Sequence, residues 1–336
     1  MRVLYGVQAT GNGHISRARA MGKYLKAEGV QVDFLFSGRP ADQLFDMQQF
    51  GDYQVKTGLT FVTEQGHINY VKTALRARPL ELWRDIRQLD CSAYDLVLTD
   101  FEPVTAWAAR SQKKPSVAFG HQYAFLHQIP QIHSNPLSRS IFKYFAPAQQ
   151  QIGLHWHHFN QPVLPPIVDL QPAVNTADLD KVLVYLPFED QQQVIRWLQP
   201  LTQYQFYLYG PGLSKSQHGH IQCSGPCVED FKRDLLHSNA VLSNAGFELV
   251  SEALQLQKRI LVKALQGQME QESNALALTQ LQLGQSTSSL STQVISSWLS
   301  SAETGHKVQY ANVALALAKW IRAGACPGEL QQLNLW

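Results

Sequence analysis

Three short segments of this 336-residue sequence carry side chains suited to chemistry. The first, Gly11-Asn12-Gly13-His14-Ile15-Ser16-Arg17, follows the strand-like run MRVLYGV. Glycines after a first strand let a ligand approach the backbone, and the next helix offers free N–H groups to an anion or an oxygen. An imidazole such as that of His14 suits a general base near neutral pH; the alternative is that His14 caps the helix. The segment lacks the third glycine of the dinucleotide GxGxxG pattern and the Gly-Lys-Ser/Thr of a P-loop.

The second segment is SNAGFELVSEAL. Its Asn244-Ala245-Gly246-Phe247 turn stands where a helix begins, so the N–H groups of Ala245, Gly246 and Phe247 are placed to hold a diphosphate. Glu252 lies about two turns on and leans back toward the helix start, where a carboxylate accepts hydrogen bonds from ribose hydroxyls. Alternatively, Glu248 and Glu252 form a solvated i,i+4 pair. The third segment, QGQMEQESNALAL, sets Glu270, Gln271 and Asn274 at the next strand end. Carboxylate and amide together offer the acceptors and donors that grip sugar hydroxyls; a polar helix cap is the plainer reading.

Strands alternating with helical patterns must position these groups, which predicts an α/β chain with mostly parallel sheets. MRVLYGV, VQVDFLFSG, YDLVLTD and PSVAFG read as strands of a front unit, and DKVLVYLPF, QFYLYG, NAVL and RILVKAL as strands of a back unit. Between them Pro162, Pro165, Pro166 and Pro172 make a poor sheet element and a good linker near residues 162–168. The expected architecture is two doubly wound Rossmann-like domains, residues 1–165 and 166–307. Ligands of such sheets bind outside the carboxyl ends of the strands, so the cleft between the domains is the expected site.

A net charge of +2, from 28 basic and 26 acidic residues, gives no polyelectrolyte pull toward nucleic acid. Residues 1–165 hold 17 basic against 12 acidic residues, which leaves the front half the better face for an anionic partner. No run of about 20 apolar residues spans a membrane and no secretory leader is recognisable, so a cytoplasmic protein is expected. Cys91, Cys223, Cys227 and Cys326 form neither a disulfide framework nor paired CxxC knuckles. His155-Trp156-His157-His158 and His218-Gly219-His220 lack a carboxylate or cysteine to complete a metal site and read as surface or interdomain histidines. His121 and Gln122, just after a strand, are placed at the cleft edge on the acceptor side. YVKTALRARPLELWRDIRQL mixes Lys and Arg with Leu and Trp; it reads as an amphipathic surface helix, with weak peripheral contact to an anionic membrane as the alternative.

Taken in order, the three segments resemble the glycosyltransferase B superfamily, above all the peptidoglycan N-acetylglucosaminyltransferase and the UDP-glucuronosyltransferase-like enzymes. Gly11, Gly13 and His14 match its GxGH loop; Asn244, Gly246 and Glu252 match its (H/N)xGxxxxxE donor motif; Glu270, Gln271, Asn274 and Ala275 match (D/E)QxxNA. The resemblance implies that His14 activates the acceptor and that Gly13 and the Asn244–Phe247 turn face the donor phosphates. It further implies that Glu252 holds the ribose and that Glu270, Gln271 and Asn274 hold the donor sugar. Asn12 and Arg17 then fall on the acceptor side. In relatives an Asp after the fourth strand orients the histidine; Asp100 stands in that place, with Glu102 as competitor. Many relatives have His where this chain has Asn244. HKVQYANVALALAKWIRAG resembles the C-terminal helix that crosses back to the first domain, which adds about 308–336 to the front unit.

Metal-dependent sugar transfer uses Asp-x-Asp at a strand's carboxyl end, whereas Asp178-Leu179-Asp180 precedes its strand. No catalytic metal and no cofactor is therefore expected, the nucleotide-sugar being a co-substrate. The resulting expectation is a metal-independent inverting glycosyltransferase that moves a sugar, from a UDP-sugar in the first instance, to the hydroxyl of a glycan, lipid or small molecule. A nucleotide-sugar hydrolase, whose GxGHxxR loop Gly11, Gly13, His14 and Arg17 also fit, and a non-catalytic nucleotide-sugar-binding protein are the alternatives.

Overall fold

Apolar strands and amphipathic helices assemble into two seven-stranded sheets in the computed structural model, which describes residues 1–59, 63–64, 67–68, 78–132, 136–168, 178–301, 305–306 and 308–336. The front sheet comprises β1 (Arg2–Gln8), β2 (Gln31–Ser37), β3 (Tyr53–Lys56), β4 (Leu96–Asp100), β5 (Ser116–Gly120), β6 (Gln150–Leu154) and β7 (Val163–Leu164). Its order is β3-β2-β1-β4-β5-β6-β7, all parallel. Helices α1 (Asn12–Ala27), α2 (Pro79–Gln88), α3 (Pro103–Ser111), α4 (His121–Ala124) and α5 (Pro136–Tyr144) connect these strands. With helices on both faces, β4 and β5 are buried at every residue, which is why they read as unbroken apolar runs.

The back sheet holds β8 (Asp178–Tyr185), β9 (Gln205–Tyr209), β10 (Ser216–His218), β11 (Ile221–Ser224), β12 (Ser238–Asn244), β13 (Arg259–Lys263) and β14 (Gln285–Thr287). Their order is β10-β11-β9-β8-β12-β13-β14, parallel except for β10 against β11. Helices α6 (Gln191–Leu198), α7 (Val228–His237), α8 (Phe247–Gln255), α9 (Met269–Gln280) and α10 (Thr292–Ser300) belong to this unit. In each sheet the chain leaves a central strand, β1 or β8, in both directions. The carboxyl ends of β1 and β4, and of β8 and β12, are therefore the switch points where crevices open.

The proline-rich stretch is less purely a linker than expected. Val163 and Leu164 pair in parallel with Gly153 and Leu154 at the sheet edge, where neighbouring prolines remove no central ladder bond. The residues 169–177 that follow lie outside the described set, as do 60–62, 65–66, 69–77 and 133–135. Helix α11 (Val313–Arg322) buries Val313, Leu317, Ala318 and Ile321, a helical stripe, and lies on α1 of the front unit. Asn312 Nδ2 donates to Tyr24 Oη at 2.7 Å, Arg322 donates to the Glu28 carbonyl, and Trp336 Nε1 donates to the Val163 carbonyl at 2.8 Å. Among the described residues no helix is long and apolar enough to cross a membrane.

Glu102 resolves into a structural role. It caps α3, accepting from the Val104 and Thr105 amides at 2.8 and 2.7 Å, from Thr105 Oγ1 at 2.6 Å and from Ser37 Oγ at 2.7 Å. Fully buried, it raises its own carboxyl above the ordinary value, and those four donors oppose that rise. Glu102→Ala strands buried donors as well as removing a cap, so a loss of about 2–4 kcal/mol is expected. Thermal melting checks this; nucleotide affinity stays within twofold of native, because Glu102 turns toward α3.

Candidate active site

Helix α1 starts at Asn12, which puts His14 in its first turn, and Asp100 ends β4, the strand next to β1. The two meet at the front switch point, with His14 Nδ1 2.6 Å from Asp100 Oδ1. Phe101 follows at φ +52°, a left-handed conformation costly for a non-glycine residue. Its ring is pinned against Phe145 at 4.8 Å and Tyr123 at 5.7 Å. That turn separates Asp100, aimed at His14, from Glu102, aimed into α3.

Arg17 shares the helix face of His14 by its i+3 spacing. Its Nε donates to Asp100 Oδ2 at 2.7 Å, and one terminal nitrogen lies 3.3 Å from His14 Nδ1. The other forms a 2.7 Å ion pair with Glu248 Oε1 of α8, at angles outside hydrogen-bond geometry. Burial alone would push the Asp100 carboxyl up, but the Arg17 and His14 charges outweigh it and hold the group below the usual carboxylate range. An ionised Asp100 only accepts, so Nδ1 of His14 carries the proton and the Nε2 lone pair is free. Glu248 behaves oppositely: burial pushes it up to about 8, Arg17 opposes the rise, and Asp100, Glu252 and Glu270 add to it.

The back-domain groups converge on the same seam. Asn244 ends β12, Gly246 caps α8, and the Gly246 amide is already bonded to the Asn244 carbonyl at 2.8 Å. Asn244 Nδ2 donates to the Lys263 carbonyl at 3.1 Å, while its buried Oδ1 has no hydrogen-bond partner. A Cβ on Gly246 or Gly11 would meet nothing within 4 Å, so the backbone at both points faces open space. Both glycines are N-caps without a side-chain hydrogen bond, unlike Glu102, Asp190, Ser291 and Asn312, which cap α3, α6, α10 and α11. The α1 and α8 N-termini therefore bring uncapped positive dipole ends to the cleft.

Glu248 and Glu252 are not a solvated pair, being 9% and 6% exposed. Glu252 accepts from Ser16 Oγ of α1 at 3.1 Å, so a serine hydroxyl stands against the carboxylate assigned to ribose. Gly13 serves close approach: a Cβ there would lie 2.9 Å from Glu248 Cγ. Glu270 accepts from Gln122 Nε2 at 3.2 Å, which joins one expected sugar ligand to one expected acceptor-side residue. Gln271 Oε1 instead takes the Leu265 amide at 3.1 Å and shapes its own loop. Asn12 bridges Tyr185 Oη of the back domain at 3.3 Å and Arg39 at 3.0 Å.

Two side chains expected on the acceptor side are enclosed within the seam. His121 is 1% exposed; its Nδ1 donates to the Leu154 carbonyl at 2.8 Å and its Nε2 lies 2.6 Å from Asn274 Oδ1. Its ring stacks on Phe247 at 3.9 Å, so it is a strut in the seam, and burial lowers its basicity. Arg17, at 2% exposure, is enclosed by two carboxylates rather than open to an acceptor. Asn274, taken as a sugar ligand, ties the seam together, since its Nδ2 also donates to the Ala245 carbonyl at 3.0 Å. Sequence reasoning missed the Phe247 ring, which lies against His121 and, at 5.3 Å, Trp156. Trp156 Nε1 donates to Ser251 Oγ at 2.8 Å, so the tryptophan between His155 and His157 makes a contact between the domains. An aromatic directly after the Asn-Ala-Gly turn was the available signal.

The sequence matches the glycosyl transferase family 1 profile over residues 1–302. This chain belongs to that family. The glycosyltransferase is similar in fold to SnogD from Streptomyces nogalater (17% identity, TM-score 0.55, 99% of this chain and 96% of that one). It is likewise similar to CalG4, the calicheamicin glycosyltransferase (14%, 0.58, 99% and 98%), and to Arabidopsis thaliana UGT89C1 complexed with quercetin (11%, 0.58, 96% and 94%). A comparison with curated proteins found no match. As a member of the family, the protein is a sugar-transferring enzyme of GT-B architecture, with its two sheets as the paired Rossmann-like units.

Proposed function

We propose that this glycosyltransferase moves a sugar from a nucleotide-sugar, a UDP-sugar being the first candidate, to an acceptor hydroxyl with inversion at the anomeric carbon. The observation that carries the reading is the 2.6 Å contact of His14 Nδ1 with an ionised, buried Asp100, which leaves Nε2 as a base. The acceptor O–H proton passes to Nε2 while its oxygen bonds to the anomeric carbon. The bond from that carbon to the diphosphate breaks, and the diphosphate leaves with the electron pair. The Ala245 and Phe247 amides and the α8 dipole stabilise the charge it gains. A structural relative, LpCGTa, is in complex with UDP, and another, SsfS6, with thymidine diphosphate; both support a nucleoside diphosphate here.

On this reading Glu252 exchanges Ser16 for ribose hydroxyls, Glu270 with Gln122 holds the sugar, and Asn12 lies toward the acceptor. Exposed Leu80 and Trp83, flanked by exposed Arg84 and Arg87 on α2, suit weak contact with an anionic membrane if the acceptor is a lipid. A thermal-shift series of nucleoside diphosphates and their sugars tests the donor, because a ligand of the native state raises the melting temperature. Glu252→Ala is expected to weaken the best ligand by roughly 1–3 kcal/mol; unchanged affinity removes the ribose assignment. Arg17 beside the base also fits the hydrolase pattern GxGHxxR. Sugar release without acceptor, as fast as transfer with it, would replace transfer by hydrolysis.

A further inference from the structure

One guanidinium addresses three functional groups. The Arg17 nitrogens lie 2.7 Å from Asp100, 2.7 Å from Glu248 and 3.3 Å from His14. Asp100 and His14 belong to the front domain, whereas Glu248 enters from the second position of α8 in the back domain. The contact is close: Glu248 lies against Gly13, where a Cβ would come within 2.9 Å of its Cγ. Neither Glu248 Oε1 nor the facing Arg17 nitrogen has a well-aligned hydrogen-bond partner, so their interaction is chiefly charge with charge.

That placement has an electrostatic result. A cation 3.3 Å from Nδ1 opposes a second positive charge on His14, while Asp100 favours it. With Glu248 neutral, the charges of Arg17 and Asp100 cancel beside His14. With Glu248 charged, the surroundings of His14 carry one net negative charge, which stabilises the imidazolium formed as the acceptor loses its proton. We propose that Glu248 is a positioning residue for the His14 base: reaching across the domain seam, its charged carboxylate takes up part of the Arg17 charge and makes His14 the stronger proton acceptor. The inference rests on the proposed role of His14. It also makes the base dependent on closure, since parting the domains withdraws Glu248.

The charged or titratable groups that act on Glu248 are Arg17 from α1, Asp100 from β4, Tyr5 from β1, Glu270 from α9 and Glu252 from its own helix. Burial first, and then the neighbouring acids, place its ionisation near about 8, so the charged form grows as pH rises through that value.

Diethyl pyrocarbonate, which acylates the free imidazole nitrogen, reads His14 directly and needs no substrate; mass spectrometry locates the label. In the native enzyme the His14 rate is expected to step up about threefold as pH rises through the Glu248 ionisation. Glu248→Gln keeps the shape, loses the charge and gives a flat profile; Glu248→Asp restores the step in part. In turnover, Glu248→Gln lowers kcat on the order of tenfold and removes the matching limb of its pH profile, with donor KM near native. A purely structural Glu248 would move melting temperature or KM and leave the labelling step in place. Superimposable labelling profiles for native and Glu248→Gln overturn the proposal, and Glu248→Ala, which also removes the charge, provides the same test if the Gln variant does not fold. Should His14→Ala transfer sugar normally, the base assignment itself fails. Should it be inactive while Glu248→Gln labels like native enzyme, only the role of Glu248 is lost.

Discussion

His14→Ala is expected to bind the donor within about twofold of native and to lower kcat roughly 10²–10⁴-fold, the range associated with removing a general base. The split between affinity and rate follows from position. His14 sits on the front side of the cleft and contacts the Asp100–Arg17 pair, whereas the backbone proposed to face the diphosphate belongs to the Asn244–Phe247 turn. The imidazole side chain remains 14% exposed, so water can reach the space left by alanine and solvate Asp100 there. Melting temperature is expected to stay within about 2 °C of native. Donor titration with steady-state kinetics separates the outcomes: parallel losses of donor affinity and rate would place His14 on the donor instead.

The second large effect concerns stability. Arg17→Met removes a cation that is 2% exposed and leaves Asp100 buried at 0% exposure without its strongest partner. Breaking a buried pair from one side costs roughly 3–5 kcal/mol, because the remaining charge stays desolvated. The sign of the pH dependence follows from Asp100. Its folded pKa lies below the ordinary value, so the stabilisation it contributes is present above about 3.9 and lost as pH falls through the folded pKa. Arg17→Met forfeits that contribution. The gap between native and variant melting temperatures is therefore wide at neutral pH and narrows only as pH falls below about 4. Equal melting at neutral pH would show that water replaces the guanidinium at no cost.

The alternation of strands and helices was legible because central strands such as β4 and β5 are buried on both faces and read as apolar runs, while helices such as α11 carry an apolar stripe. The same holds for the strand-end location of His14, Asp100, Asn244 and Glu270, since α/β topology brings carboxyl ends to one edge. Choosing Asp100 over Glu102 required the left-handed turn at Phe101, which no local pattern announces. Glu248 and Glu252 looked like a solvated pair because a helix sequence shows spacing but not the opposite domain that covers it. The enclosure of His121 was hidden for the same reason: its partners, Asn274 and Phe247, lie on helices of the other domain. The proline-rich run was read from what proline forbids in a central strand, and it occupies an edge.

The seam constrains how members of this family can be recombined. Ser16 meets Glu252 across 236 residues of chain, and His121 meets Asn274 across 153. Arg17 and Glu248 form a third such pair, and Phe247 stacks on His121 as a fourth. A chimera that grafts a foreign back half onto this front half inherits none of these matches unless the partners travel together. Exchange of donor preference by swapping halves therefore amounts to transplanting Ser16, Arg17 and His121 with whatever they must face.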